Sequence, residues 1–376
     1  MFLCVVPKAK RISRQAQKLC RLIRQFAGLA CSCLWLVEDG LKLLIDVIKE
    51  SVGRVLLAQP QRGQGLAIDL ERLLTVQVGG IKVRSSLVVD LVIDLKQGFV
   101  ILAEMEPPKG VDVSTMVTHA KRVKGDVDAF VVPEMSNAVM RMSSLGGAVI
   151  LQSKGMETVI QLNCRDRNRI ALQADLLAAF GCGITNVMTV TGEDPSYGDH
   201  FQARSVYDID LLGLLGAIKG LQQGKDMAGI ELSGAPEFLV GSTVNAGAKG
   251  KSPELVIEEM NKEIEAGVQF FISPPLFDLS AIEPFMKRVD VKKSNIIPTV
   301  LLLKSLGMAR YIMRNVEDVF VPDSLVDRIQ KSPDKVRECT LIASEMILLL
   351  KSQGFSGVHI VTLGWEHKLH EIIERI

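Results

Sequence analysis

An α/β fold closed into an eight-stranded (β/α)8 barrel, preceded by an N-terminal extension, is what this sequence predicts, and three observations carry the prediction. Eight short, β-rich apolar runs follow one another from about residue 97 to the end of the 376-residue chain. Amphipathic helical stretches separate them, and most starts are about thirty residues apart, the length of one βα unit. The runs are apolar nearly throughout, as parallel strands buried on both faces are. Eight such units favour a closed barrel over an open doubly wound sheet. No GxGxxG follows the first run, so a dinucleotide-binding sheet loses its main support.

The first 87 residues do not share this rhythm and form a separate region, with the barrel over residues 88–376. From Met1 to Val37 the chain carries Lys8, Lys10, Arg11, Arg14, Lys18, Arg21 and Arg24, with no acidic residue before Glu38. Leu19, Leu22, Ile23, Phe26 and Leu29 make one apolar stripe if the segment is helical. A membrane-surface helix, a targeting segment and a helix docking on a partner all fit, as does an extension never selected to fold. The uncharged run Gln25 to Val37 is too short to span a bilayer. A helical stretch with Leu41, Leu44, Ile45, Val47 and Ile48 then runs into Gly/Gln/Pro-rich text around Gln59–Gly65. Thr75-Val-Gln-Val, Gly79-Gly80 and Ile81-Lys-Val-Arg84 read as a hairpin, two alternating runs around a glycine turn.

The barrel strands are read, in order, as Val100–Met105, Ala129–Val132, Thr158–Asn163 and Asn186–Thr191, then Phe238–Val244, Gln269–Ser273, Asn295–Leu301 and Gly357–Leu363. Small-residue turns precede several of them and end the helix before, as in Phe180-Gly-Cys-Gly-Ile184 and Gln353-Gly-Phe-Ser-Gly357.

Composition narrows the function classes. Lys+Arg 44 against Asp+Glu 43 leaves a net charge of +1, so no whole-chain field points to nucleic acid. Aromatics at 5% give little for base stacking. Seven cysteines with no CxxC give no support to a disulfide framework or a four-cysteine zinc site, and fit scattered thiols in a reducing, cytoplasmic setting. No metal site is expected. The composition fits a protein acting on a small molecule.

In a barrel, chemistry sits at the C-terminal strand ends. Those ends read Glu104-Met-Glu106-Pro-Pro-Lys-Gly110, Pro133-Glu134, Gln161-Leu-Asn-Cys164-Arg-Asp-Arg167 and Thr191-Gly-Glu193-Asp-Pro195. Thr243-Val-Asn245, Ser273-Pro-Pro-Leu-Phe-Asp278, Pro298 to Lys304 and Gly364-Trp-Glu366 follow. Carboxylates and amides converge on one rim, and no strand-end motif before the last holds a histidine, which disfavours a His-based acyl-transfer triad. A carboxylate in a partly apolar mouth can titrate high enough to act as a general acid near neutrality. Glu104, closing the first strand before Pro-Pro, is the leading candidate; Glu106 is read as facing the outer layer. Arg165, Asp166 and Arg167 read either as a clamp for an acidic tail or as a surface ion network, and Cys164 as a packed thiol.

These strand-end motifs resemble the methylenetetrahydrofolate reductase family, and in particular its short members from anaerobic one-carbon pathways. The resemblance rests on Ala103-Glu104-Met-Glu-Pro-Pro-Lys-Gly110, Asn163-Cys-Arg-Asp-Arg-Asn168, Asn186-Val-Met-Thr-Val-Thr-Gly-Glu-Asp-Pro195 and Tyr197-Gly-Asp-His200. Val206-Tyr-Asp-Ile-Asp210, Leu303-Lys-Ser-Leu-Gly-Met-Ala-Arg310 and the stretch Gly357 to Glu366 continue it, in order, over about residues 88–376. It implies a TIM barrel that uses FAD to reduce 5,10-methylenetetrahydrofolate, or a related pterin, to the 5-methyl form. Glu104 then protonates the folate as the methylene bridge opens, and Glu193, where the family has Asp, holds the pterin beside the flavin. Gln161, Thr191, Gly192, Glu193, Asp208, Asn245, Ala248 and Lys262 match the family's flavin positions. Electrons would come from NAD(P)H or an iron–sulfur partner subunit, within a homo- or hetero-oligomer.

The chain departs from the family pattern at several of these places. Gln161 stands for a histidine, Pro133 for a threonine, Pro274 for a folate-facing glutamine, Gly241 for a tyrosine and Glu263 for a base beside the flavin phosphates. A negative charge near a pyrophosphate is unfavourable unless the side chain turns away. The departures support a second reading, a flavin-poor pterin-binding or methyl-transfer partner subunit without reductase activity.

Overall fold

A computed structural model describes residues 98–246, 252–289, 294–316 and 319–376, together with the backbone of Thr75–Val78 and Ile81–Arg84. The basic stretch, the helical run after it and Ala248 lie outside the described residues. The chain divides into two compact units, Met1–Ser85 and Ser86–Ile376.

In the first unit, β1 (Thr75–Val78) and β2 (Ile81–Arg84) pair antiparallel, with Val78 opposite Ile81.

The second unit is a closed barrel of eight parallel strands, β3 (Val100–Glu104), β4 (Ala129–Val132), β5 (Thr158–Asn163), β6 (Asn186–Val190), β7 (Leu239–Thr243), β8 (Phe270–Pro275), β9 (Asn295–Leu301) and β10 (Gly357–Val361). They follow in chain order, and β10 pairs with β3 to close the ring. Closure removes the edge strands that an open sheet must protect. The helices are α1 (Ser114–Arg122), α2 (Ser144–Gln152), α3 (Arg169–Gly181), α4 (Leu211–Gln222), α5 (Pro253–Ala266), α6 (Glu283–Met286), α7 (Leu306–Asn315), α8 (Asp323–Lys331), α9 (Lys335–Ser352) and α10 (Leu369–Ile373). Among the described residues, none is long and apolar enough to cross a membrane.

Side-chain alternation explains the uninterrupted apolar runs. Ala103, Val132, Ile160, Val187, Val240, Phe271, Ile296, Val358 and Ile360 belong to the outer core, between strands and helices. Val100, Leu102, Ala129, Val131, Val159, Met188, Phe270, Ile272 and Ile297 pack with one another inside the barrel. Both faces are dry, so both parities must be apolar.

The inner layer is tight. A Cβ on Gly241 would lie 2.1 Å from the ring of Phe270, its register partner on β8.

At the C-terminal ends the helices begin abruptly, which holds the rim residues in place. Asn168 accepts from Ile170 and Ala171 N–H to start α3, Asp210 from Gly213 N–H to start α4, and Ser305 from Met308 N–H to start α7. Each side-chain oxygen satisfies a backbone donor that the helix leaves unpaired.

Candidate functional site

The inward positions of β3 are Val100, Leu102 and then Glu104, so the strand's last inward side chain is a carboxyl standing above an apolar floor. Burial, with the carboxylates of Glu106 and Glu366 nearby, pushes Glu104 up to about 8. Taking the charged form out of water and placing it beside like charges both favour the protonated acid. Glu104 therefore holds its proton at neutral pH.

Glu106 does not face the outer layer. Two residues on, it keeps the parity of Glu104, and it pairs with Arg141 Nε at 2.8 Å. Burial holds Glu106 above the ordinary carboxylate range against the pull of Arg141 and Lys304. Glu366 accepts from Gly364 N–H at 2.9 Å. Lys304 donates to the Leu363 carbonyl and lies 5.7 Å from the centre of the Trp365 ring. Three carboxyls and two cations thus gather where β3 meets β10.

Beside them opens a cavity of about 380 Å³, walled by the ends of β7 to β10 and including Thr243, Asn245, Pro274, Pro275, Thr299 and His359. The ladder between β8 and β9 slips between Ile272 and Pro275, where the prolines carry no N–H to pair. The slip leaves the Ser273 carbonyl to accept from Thr299 Oγ1 at 2.6 Å. His359 sits opposite Leu102 and Thr299 in the barrel ladder. Burial pushes its imidazole down to about 4, so the ring is neutral.

The other side of the rim is a filled charge network. Arg165, whose side chain is 3% exposed, reaches Asp166 through Nε and Nη2, both at 2.7 Å. Its Nη1 donates to the Glu193 carbonyl at 2.9 Å. Asn163 Nδ2 donates to Asp166 at 2.9 Å, and Asn163 Oδ1 accepts from the Asp166 N–H at 3.0 Å. Glu134 is buried, accepting from Ser144 N–H at 2.9 Å and from Arg167 Nη2 at 3.2 Å. Arg165 and Glu134 are buried members of this network, while Asp166 stays at the surface. Buried Cys164 has its thiol pushed up to about 11, which leaves no thiolate for nucleophilic work.

The flavin positions implied by the sequence fall in different places. Gln161 Oε1 accepts from Glu134 N–H at 3.1 Å. Gly192 adopts φ +92°, and a Cβ there would meet Arg165 Cβ at 2.9 Å; its carbonyl accepts from the Tyr207 hydroxyl at 3.1 Å. Thr191 is exposed, and Glu193, 55% exposed, turns toward Arg165 at 3.7 Å. Asp208 accepts from Arg169 Nε at 2.8 Å beside the start of α3. Asn245 lines the cavity. Lys262 is exposed on α5 and pairs with Glu258 at 2.8 Å. Gln161, Gly192 and Glu193 thus gather around the Arg165 network, while Asp208, Asn245 and Lys262 stand apart.

Among the described residues, the positions matched to flavin do not gather into one site. Lys262 stands on α5 among Glu258, Glu259 and Glu265, and its ammonium is paired with Glu258. Glu263 turns inward toward Ser242 of β7, and burial raises its pKa. A cavity of about 380 Å³ lies near the lower end of the small-ligand range of roughly 300–1,000 Å³.

Sequence reasoning passed over His359, Thr299, Arg141 and the inward aim of Glu106. Parity along β3 predicts Glu106, and a histidine inside an otherwise apolar final strand marks His359. Arg141 joins the site only through a loop closure, which has no sequence period. Among the described residues, no group of histidine, cysteine and acidic side chains forms a metal site.

Comparison with known proteins agrees with this architecture. The model of the family described as Methylenetetrahydrofolate reductase matches residues 90–376. Methylenetetrahydrofolate reductase 2 of Schizosaccharomyces pombe (strain 972 / ATCC 24843) is 23% identical over 305 residues, covering 76% of this chain and 47% of that protein. The chain thus spans about half the length of that curated relative. Among solved structures, an uncharacterized protein from Clostridium thermocellum that binds two copies of 5-methyl-5,6,7,8-tetrahydrofolic acid superposes with a TM-score of 0.51 at 13% identity. The superposition covers 76% of this chain and 97% of that one.

Proposed function

Because the chain belongs to the methylenetetrahydrofolate reductase family, we propose that it takes part in that family's chemistry, converting 5,10-methylenetetrahydrofolate or a related pterin to the 5-methyl form, with Glu104 as the proton donor. The observation that carries the reading is a carboxyl held protonated at neutral pH, at about 8, on the rim of the barrel. The folate-binding structural relative supports the ligand class.

The methylene carbon is bonded to two nitrogens and accepts hydride only after one C–N bond has broken. Proton transfer from Glu104 to the departing nitrogen makes that nitrogen a neutral amine and leaves an electrophilic iminium on the other. The glutamate is left as a carboxylate, which regains its proton from water. Reduction also needs a hydride donor. Flavin fills that role where the family resemblance holds, but the described residues supply no pyrophosphate site, and no step is assigned to it. The acidic face of α5 favours the second reading, a pterin-binding or methyl-transfer subunit.

Two measurements decide. Glu104→Gln keeps the shape and removes the transferable proton; reduction should fall by about 10²–10⁴-fold while binding of 5-methyltetrahydrofolate stays within a few fold. Undiminished turnover would remove Glu104 from the mechanism. A visible spectrum after incubation with FAD and desalting separates the readings: near one flavin per chain supports the reductase, and a colourless protein that still binds 5-methyltetrahydrofolate supports the binding subunit.

A further inference from the structure

The outer helices of the barrel do not all meet water in the same way. On α5 the exposed face is polar, with Glu254, Glu258, Glu259, Asn261, Lys262 and Glu265. On α3, once past Arg169 at its start, every exposed residue is apolar: Ile170, Ala174, Leu177, Ala178, Phe180 and Gly181. The buried face of α3, with Leu172, Leu176 and Ala179, is apolar as well. A helix that is apolar all round is normally a buried helix. Its neighbour α4 exposes Leu212, Gly216 and Lys219. Gly216 costs that helix about 0.5–1 kcal/mol relative to Ala, and a Cβ there would meet nothing in this chain. Packing within the chain gives no reason for this glycine, whereas close approach from outside does.

Between α3 and the turn after α4 runs a groove of about 440 Å³, whose lining includes Ile170, Ala174, Leu177, Leu221, Met227 and Leu232. The polar side chains along it have partners within the chain. Arg169 pairs with Asp208, Gln173 with the Met227 N–H and the Arg169 carbonyl, and Asp226 with the Ala228 and Ile230 N–H groups. So engaged, they do not orient a small polar ligand, and what the groove offers is apolar contact.

We propose that the α3–α4 face is the interface between two copies of this chain, related by a twofold axis so that the face meets itself. A surface that packs on its own copy cannot carry charge of one sign at its centre, because like would meet like. Here the centre is uncharged, and the Arg169–Asp208 pair at its edge brings both signs. The size also fits. α3 has 13 residues, which makes it about 20 Å long, and a helix with its side chains is about 10–12 Å wide. With α4 and the turn after it, the face measures about 20 Å by 30 Å. That is on the order of the 800 Å² per partner of a standard-size interface, enough for a stable dimer.

The test is sedimentation velocity of the full chain at micromolar concentration, with circular dichroism to show that each variant is folded. Wild type should sediment at twice the 41.1 kDa of one chain. Leu177→Lys places an unpaired ammonium in the face and should weaken the dimer by about 10²–10³-fold. Leu349→Lys is the control: Leu349 on α9 is 40% exposed, as Leu177 is, and its replacement should leave the dimer as it was. If Leu177→Lys fails to fold, Gly216→Met decides, since its side chain enters open space in the single chain but collides at the interface. It should weaken the dimer at least about tenfold. A single-chain mass for wild type overturns the second copy as the occupant. A dimer that survives Leu177→Lys or Gly216→Met, or one that Leu349→Lys breaks equally, overturns the assignment of this face.

Discussion

The two halves of the barrel mouth differ in how completely they satisfy themselves. Over β4 to β6, each charged group has its partner inside the chain: Arg165 with Asp166 and the Glu193 carbonyl, Glu134 with Ser144 and Arg167, Asn163 with Asp166. Around β3 and from β7 to β10, an acid keeps its proton for want of a partner, and a cavity stands beside it. A buried polar cluster that closes on itself holds loops in register. One left open has capacity for a ligand. The most charge-rich strand-end motif is therefore not, by that richness, the site of chemistry.

The comparison makes graded predictions. Arg165→Met should have the largest effect on stability, about 3 kcal/mol by urea unfolding, because it removes a buried guanidinium whose charge-assisted hydrogen bonds tie Asp166 to the Glu193 carbonyl. Folate affinity of the folded fraction should be unchanged, and a selective loss of affinity at full stability would erase the contrast between the halves. Gly241→Ala should cost about 1–3 kcal/mol by overpacking against Phe270. Phe270→Leu in the same chain should restore part of it, and strict additivity of the two would show that the ring does not fill that space.

The proton on Glu104 gives a pH signature. Its native value near 8 lies above the ordinary 4.5, so between those values the unfolded chain releases a proton that the native state keeps. Stability then falls as pH rises through this window, by at most about 1.4 kcal/mol per pH unit, and levels off above it. Thermal melts of wild type and Glu104→Gln from pH 5 to 9 should diverge with this sign, the variant lacking the slope; parallel curves would mean an ordinary carboxylate. Lys262→Ala should be the mildest change, below about 0.5 kcal/mol, since it loses one exposed i,i+4 pair. A large loss of FAD uptake in that variant would give α5 the cofactor role that its acidic face argues against.

Much of the barrel was legible in the sequence because its cause is local and repeated. Burial on both faces makes each strand apolar, and the length of a βα unit sets the spacing, so all eight strands fall on the runs that periodicity marks. The Gly79-Gly80 hairpin is written in the same way. Glu104 was legible too, because the end of a strand before Pro-Pro fixes where a side chain stands. What the sequence could not carry is which polar groups meet. Arg165 reads as a surface charge until the loop after β6 meets it through the Glu193 carbonyl. Lys262 reads as a phosphate ligand until Glu258 takes its ammonium, and His359 reads as one more strand residue until burial leaves its ring neutral. Strand order and core follow from local pattern. The protonation of Glu104 and the neutral ring of His359 depend on neighbours from distant strands, which only the closed barrel brings within reach.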